Sequence, residues 1–274
     1  MNRDLKFLLI TPSFKRPYML RSSILNSANQ TYTNFHHSIM INYDEKSHYN
    51  YEFMFDDIIS KFDSKALDPF DSKVPLDPFD SKEPLDPFSV PQPLKKYIVN
   101  YKSNEDQHEN HIKAIFNIIK NYPEIYNTID YIVKWDDDDI YKSNYLKSVC
   151  DYIHRYPGYN IYTTKASSQL NNYHFRINQA YGHLGGVPND NIGMPATMIF
   201  DRTAAEMIMI KSDDKEYRKF RGNGFEDTAW FHHWHNNNLK FKLVDTPNNN
   251  FIWHIHGGKG PGKGNISTSS WLDD

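Results

Sequence analysis

The sequence predicts an α/β fold, a mixed but mostly parallel sheet flanked by helices and carrying a low-complexity surface insertion. Three observations predict it. Short apolar runs such as Phe7-Leu8-Leu9-Ile10 read as strands buried on both faces. Segments with apolar residues at helical spacing alternate with these runs, which is the pattern of βαβ units. A repeated Leu-Asp-Pro-Phe unit, beginning at Leu67, Leu76 and Leu85, interrupts the alternation. It is too short and proline-dense to bury a shared face as a solenoid does.

The first strand ends at Thr11-Pro12-Ser13, and Pro17 then stands where a helix's first turn tolerates proline. Leu20, Ile24, Leu25 and Ala28 follow at helical spacing. Ser38 to Ile41 is a second strand, ending at Asn42-Tyr43-Asp44, and Tyr97 to Val99 is a third. Ile112, Ile115, Phe116 and Ile119 mark one face of a helix. Tyr131 to Trp135 is a fourth strand, stopped by four aspartates, and Leu146, Val149, Cys150 and Ile153 mark the next helix, which starts near Ser143. Further on, strands are expected at 161–164, 197–200, 241–244 and 251–256, and helices at 204–210 and 227–236. The chain reads as a single domain over 1–274, with a flexible repeat insertion over 60–95 and a mobile Gly/Lys/Pro loop and tail over 257–274.

Composition narrows the function. In 274 residues, 39% hydrophobic and 15% aromatic, there is material for a substantial core. Lys and Arg total 31 against 34 Asp and Glu, a net charge of −3, which is no footprint for nucleic acid or an anionic membrane. The single cysteine, Cys150, excludes an intrachain disulfide framework and a cysteine-rich zinc site. No signal peptide and no membrane span is read in the chain, so a soluble enzyme of bacterial or virus-infected host cytoplasm is expected.

The strongest chemical signal is Trp135-Asp136-Asp137-Asp138-Asp139-Ile140-Tyr141. Four adjacent carboxylates repel one another unless a cation joins them. They follow an apolar strand directly, which in an open α/β sheet is the edge where ligands bind. In extended geometry Asp136 and Asp138 face one way and Asp137 and Asp139 the other, so one pair could hold a divalent cation through hard oxygen ligands. The competing reading is a solvated acidic turn capping the following helix. Gly222-Asn223-Gly224-Phe225 delivers Glu226 and Asp227 to the start of a helix, where one could act as a general base. His254 and His256, beside Gly257-Gly258, offer an imidazole suited to manganese-type cations. Thr11, Ser13, Arg16 and Asp44 gather hydroxyls, a cation and a carboxylate at adjacent strand ends. No dinucleotide or P-loop glycine motif is present. His232, His233 and His235, interleaved with Trp230 and Trp234, read as aromatic packing with histidines at the surface rather than a zinc site.

Thr-Pro-Ser-Phe-x-Arg at the first strand, an aspartate after the second and Asp-x-Asp-Asp-Ile-Tyr after the fourth resemble glycosyltransferases of the GT-A (Rossmann-like) fold. The Glu-Asp pair before a helix, and a late histidine ahead of Asn265-Ile266-Ser267, extend the likeness to inverting, family-2-like enzymes over residues 5–57 and 95–267. The resemblance implies a nucleotide-sugar donor, UDP-linked by preference, a glycan, lipid or protein acceptor, and Mn²⁺ or Mg²⁺. It implies Asp138 as chief metal ligand, with His256, or His254, at the metal or diphosphate. Asp136 would contact the donor's ribose or sugar, Asp137 would be a further substrate- or nucleotide-binding residue, and Asp139 would orient the acceptor. Thr11, Pro12, Phe14, Arg16 and Asp44 would form the nucleoside pocket, with His108, Asn110 and Lys113 beside the base and pyrophosphate. Asp227 would be the catalytic base and Glu226 its neighbour on the acceptor. Two other readings remain open: a non-catalytic nucleotide- or glycan-binding protein on the same fold, and a metal-dependent nucleotidyltransferase or phosphohydrolase.

Overall fold

A computed structural model of the protein describes residues 4–14, 17–42, 97–102, 107–164, 166–171, 174–181, 197–211, 226–244 and 251–255. The repeat segment 60–95 and the tail 257–274 lie outside them. The strands are β1 (Phe7–Phe14), β2 (Phe35–Asn42), β3 (Tyr97–Lys102), β4 (Tyr131–Lys134), β5 (Ile140–Tyr141), β6 (Ile161–Thr164), β7 (Ala166–Asn171), β8 (His174–Tyr181), β9 (Ile199–Asp201), β10 (Phe241–Val244) and β11 (Phe251–Ile255). The helices are α1 (Pro17–Ala28), α2 (Gln107–Asn121), α3 (Pro123–Tyr126), α4 (Tyr145–Arg155), α5 (Arg202–Lys211) and α6 (Glu226–Asn236).

The main sheet has seven strands in the order β10-β6-β9-β4-β1-β2-β3. Every neighbouring pair is parallel except the two made by β9, which runs against β4 and β6. The mostly parallel architecture expected from the sequence is therefore the one found. The β1 run is buried on both faces because alternate side chains feed two different cores. Phe7 and Leu9 join Val133, Trp135 and the apolar stripe of α4. Leu8 and Ile10 join Ile132, Phe200, Trp230, Trp234 and the buried face of α2. On α2 that face is Ile112, Ala114, Ile115 and Ile118, and on α4 it is Tyr145, Leu146, Val149, Cys150 and Ile153, each set at helical spacing.

The strand order places a topological switch between β1 and β4. The chain runs outward from β1 through β2 to β3, then returns to lay β4 on the opposite side of β1. In open α/β sheets ligands bind outside the carboxyl ends of the strands at such a point.

Two features differ from the sequence reading. The strand expected at 197–200 begins only at Ile199. Thr197 meets β6 through its side chain instead, its hydroxyl accepting from the Thr164 N–H at 2.8 Å and lying 3.1 Å from the Thr164 carbonyl. There is also a second sheet, β5-β11-β7-β8, of which only β11 was anticipated. The hairpin β7–β8 has few large apolar side chains, and main-chain pairing leaves no periodic trace in a sequence. Among the described residues, no helix is long and apolar enough to cross a membrane.

On α6, Trp230, Phe231 and Trp234 are buried, while His232 and His233 are half-buried and His235 is exposed, as the packing reading expected. Trp234 donates its indole N–H to the Ala204 carbonyl at 2.9 Å and packs on Phe200 and Trp230. Trp234→Ala is expected to cost about 3–5 kcal/mol of stability. Trp234→Phe, which keeps most of the ring but loses the hydrogen bond, should lower stability by a smaller amount. Urea unfolding of both variants checks the order.

Candidate active site

The β4 strand pairs with β1 up to Ile10 and Lys134, and the Trp135 N–H still donates to the Ile10 carbonyl at 3.0 Å. The four aspartates leave the sheet immediately afterwards, at the switch point. They form a turn, not an extension of the strand. The alternation expected from extended geometry therefore holds for Asp136 and Asp138, which stand together, but not for Asp139, which joins them. A turn folds the chain back, so that carboxylates three residues apart can converge. Ligand atoms of Asp136, Asp138 and Asp139 all lie within 4.8 Å of one another.

The solvated-turn reading fails as well. Asp136 is 9% exposed, Asp137 2% and Asp139 3%, and only Asp138 is half-buried, so the cluster meets solvent through Asp138. Burying this much negative charge requires positive partners. Lys134, itself buried in β4, places Nζ 2.8 Å from Asp136 Oδ2. His111 on α2 brings Nε2 to 3.7 Å from Asp136 Oδ1. Burial alone would raise the Asp136 carboxyl, but the Lys134 ammonium and the His111 ring outweigh it and hold the group below the ordinary carboxylate value. Asp136 is thus an ionised carboxylate clamped from the protein side.

An aromatic frame supports the turn. Trp135 stacks on Tyr141 with centroids 3.7 Å apart, and Tyr145 meets both rings edge-on. The Tyr141 hydroxyl accepts from the Asp136 N–H at 3.0 Å. Burial, reinforced by the charges of Asp139 and Asp136, pushes the Tyr141 phenol well above its ordinary value, so it stays protonated. Behind Trp135, Thr11 Oγ1 lies 2.5 Å from the Trp135 carbonyl and 2.7 Å from His37 Nε2. His37 Nδ1 lies 3.1 Å from Ser27 Oγ.

Other sequence-predicted residues lie on β1, α2 and α6. Phe14 is the last residue of β1, and Thr11 and Pro12 are buried within that strand. His108 lies in the first turn of α2, followed by buried Asn110 and half-buried Lys113. Among the described residues Asn110 Oδ1 has no hydrogen-bond partner. Glu226 and Asp227 are the first two residues of α6. Trp230, three residues after Asp227, meets His111 edge-on at 5.5 Å, and His111 in turn faces Asp136. The α6 N-terminus is therefore tied to the acidic turn through two buried side chains. The β11 strand is tied to it through β5, for Ile252 pairs with Ile140 and Phe251 with Tyr141 in antiparallel register. Beyond Ile252 the strand continues in parallel register with β7, His254 opposite Leu170. Arg16, Asp44 and His256 lie outside the described residues.

Sequence reasoning missed Lys134, His111, His37 and Tyr141. The signal for Lys134 was present: a lysine inside Tyr-Ile-Val-Lys-Trp, on a strand buried on both faces, has no solvated side and needs an anion. His37 and His111 carried no such signal, because their partners lie on other elements.

The buried groups set a pH dependence. Burial lowers His37 from its ordinary 6.5 to about 3. The unfolded chain takes up this proton as pH falls through 6.5, whereas the folded chain does not until about 3. Stability should therefore be full above 6.5 and fall towards 3, by at most about 1.4 kcal/mol per pH unit from this group. Asp136 has the same sign at lower pH, contributing above the ordinary 3.8 and losing that contribution as pH falls through its folded value. Urea midpoints measured from pH 7 to pH 4 should decline, and His37→Gln should flatten the decline. An unchanged slope in His37→Gln would rule out a neutral, buried His37.

No protein-family model matches the chain, nor does any curated protein sequence. Solved structures do match it. S. aureus TarS 1-349 in complex with UDP superposes with a TM-score of 0.53 at 10% identity, over 92% of this chain and 61% of that one. The same TarS segment in complex with UDP-GlcNAc gives 0.52 at 12% identity, over 93% and 60%. A further structure of S. aureus TarS gives 0.52 at 11% identity, over 92% and 37%. The chain thus spans less than two thirds of the length of each. These neighbours are GT-A-type glycosyltransferases. At such low identity the likeness concerns the backbone, and the chain has the GT-A, Rossmann-like fold, with an acidic triad of its own at the switch point.

Proposed function

We propose that the protein is a metal-dependent glycosyltransferase. It moves a sugar from a nucleotide-diphosphate donor, UDP-linked by preference, to a hydroxyl on a glycan, lipid or protein acceptor, with inversion. The observation that carries this reading is the convergence of three aspartate carboxylates at the carboxyl edge of a GT-A sheet. The TarS complexes with UDP and UDP-GlcNAc support the choice of nucleotide.

The triad fits a hard divalent cation such as Mn²⁺ or Mg²⁺. Its donors are carboxylate oxygens, they lie close together, and the half-buried Asp138 leaves an open side for ligands from elsewhere. Asp138 is the chief ligand in this reading, with His256, or His254, at the metal or diphosphate. When bound, the cation neutralises charge growing on the leaving diphosphate, an effect worth several kcal/mol. Asp136, already held by Lys134, faces the donor's ribose or sugar, Asp137 is a further substrate- or nucleotide-binding residue, and Asp139 orients the acceptor. Pro12, Phe14, Arg16 and Asp44 hold the nucleoside at the ends of the first two strands. His108, Asn110 and Lys113 line its base and pyrophosphate side.

Asp227, at the start of α6, accepts the proton of the acceptor hydroxyl, and Glu226 orients that acceptor. The hydroxyl oxygen forms a bond to the anomeric carbon as the bond from that carbon to the diphosphate oxygen breaks on the opposite face. The nucleoside diphosphate leaves with the electron pair, and the sugar's configuration inverts. General-base help of this kind contributes roughly 10²–10⁴-fold in rate.

A thermal-shift panel of UDP-, GDP-, CMP- and dTDP-linked sugars, with and without Mn²⁺, is the direct test. A UDP-sugar is expected to stabilise the protein only when the metal is present. Asp138→Ala should lose that metal-dependent shift. Asp227→Asn should keep it while transfer falls by about 10²–10⁴-fold. Normal transfer by Asp227→Asn would assign the base elsewhere, and release of pyrophosphate instead of a nucleoside diphosphate would identify nucleotidyl transfer.

A further inference from the structure

We infer that Thr11 and His37 are positioning residues for the acidic turn, forming a buried hydroxyl–imidazole strut that sets the Trp135–Asp136 peptide and thereby preorganises the carboxylates for a divalent cation. This goes beyond the proposed activity but rests on it, since it assigns a role towards the same metal site.

The hydrogen-bond inventory fixes the direction of the strut. A carbonyl oxygen has no proton, so Thr11 donates its hydroxyl to Trp135 O at 2.5 Å. Having one proton, Thr11 Oγ1 must then accept at its 2.7 Å contact with His37, which puts the proton of the imidazole on Nε2. The other ring nitrogen, Nδ1, is then unprotonated and faces the Ser27 hydroxyl at 3.1 Å, whose single proton is shared with the Ile24 carbonyl at 2.8 Å. Burial keeps the ring neutral, consistent with this single-tautomer arrangement. The ring also meets the Trp135 indole edge-on at 6.4 Å.

The consequence falls on one peptide unit. The Trp135 carbonyl is held by Thr11 from β1, and the N–H of the same peptide, belonging to Asp136, donates to Tyr141 at 3.0 Å. Both polar groups of the plane that leads into the turn are therefore pinned by side chains. The backbone ladder between β1 and β4 ends at Ile10 and Lys134, so the Thr11 hydroxyl continues the pairing where main-chain geometry stops. Asp136, Asp138 and Asp139 repel one another when no cation is bound, and a rigid departure from the strand limits how far they can separate. The Thr11 hydroxyl, expected from the sequence to line the nucleoside pocket, is committed inside the protein, and the residue is wholly buried.

Isothermal titration of Mn²⁺ alone, without nucleotide, tests the strut in wild type, Thr11→Val, Thr11→Ser and Asp138→Ala. Thr11→Val, nearly isosteric, should bind Mn²⁺ about 3- to 10-fold more weakly. Thr11→Ser, which keeps the hydroxyl but loses the methyl, should stay within about twofold of wild type, separating the hydrogen bond from packing. His37→Leu should add no further loss in the Thr11→Val background, as expected for two members of one chain of hydrogen bonds. Wild-type Mn²⁺ affinity in Thr11→Val, with UDP affinity reduced, would overturn the strut and return Thr11 to the nucleoside pocket. If Asp138→Ala retained wild-type Mn²⁺ affinity, the metal reading itself would fall, and the strut with it.

Discussion

The Lys134–Asp136 ion pair is the interaction on which the candidate site depends. An aspartate-rich turn at the end of a strand buried on both faces would ordinarily spring open, because each carboxylate loses water and gains like-charged neighbours. One buried ammonium at 2.8 Å changes the balance for the first of the four and ties the turn to the strand that precedes it. Such a pair contributes little net stability compared with an apolar replacement, but removing one partner leaves the other as an uncompensated buried charge. Its value here is positional, because it fixes one oxygen of Asp136 at the start of the turn and leaves Asp138 as the group that meets solvent.

Around that pair the two cores act as separate supports. The face containing Trp135, Tyr141 and Tyr145 forms the aromatic frame beneath the turn. The opposite face contains Trp230 and the α2 stripe, and His111 stands where that core meets Asp136. The same packing that buries apolar area thus carries the N-terminus of α6, with Glu226 and Asp227, towards the acidic edge. In the proposed reading the site draws on β1, β4, α2 and α6, none of which could present it alone.

The likeness to TarS structures at 10–12% identity is what a fold held by burial pattern produces. Cores tolerate extensive exchange among apolar side chains provided volume and periodicity persist. Lys134, His37 and Tyr141 are informative about how this chain steadies its acidic edge, which the fold alone does not specify.

Much of the fold was legible in one dimension because burial leaves periodic traces. The apolar run at β1, the helical spacing on α2 and α4, and the aspartates following β4 all register a local environment directly in residue type. From those traces alone the sequence determined a mostly parallel α/β sheet and an acidic strand end as its ligand edge. The second sheet escaped because β7 and β8 pair through main-chain groups that every residue possesses. That Asp139 joins Asp136 and Asp138 escaped because strand parity places it on the other face, and only the backbone of the turn brings it round. His37 and His111 escaped because a histidine acquires its role from neighbours far along the chain: Thr11 and Ser27 for the one, Asp136 and Trp230 for the other. Residue type records how buried a position is, whereas which groups meet across the sheet depends on strand order and register, and those exist only once the chain has folded.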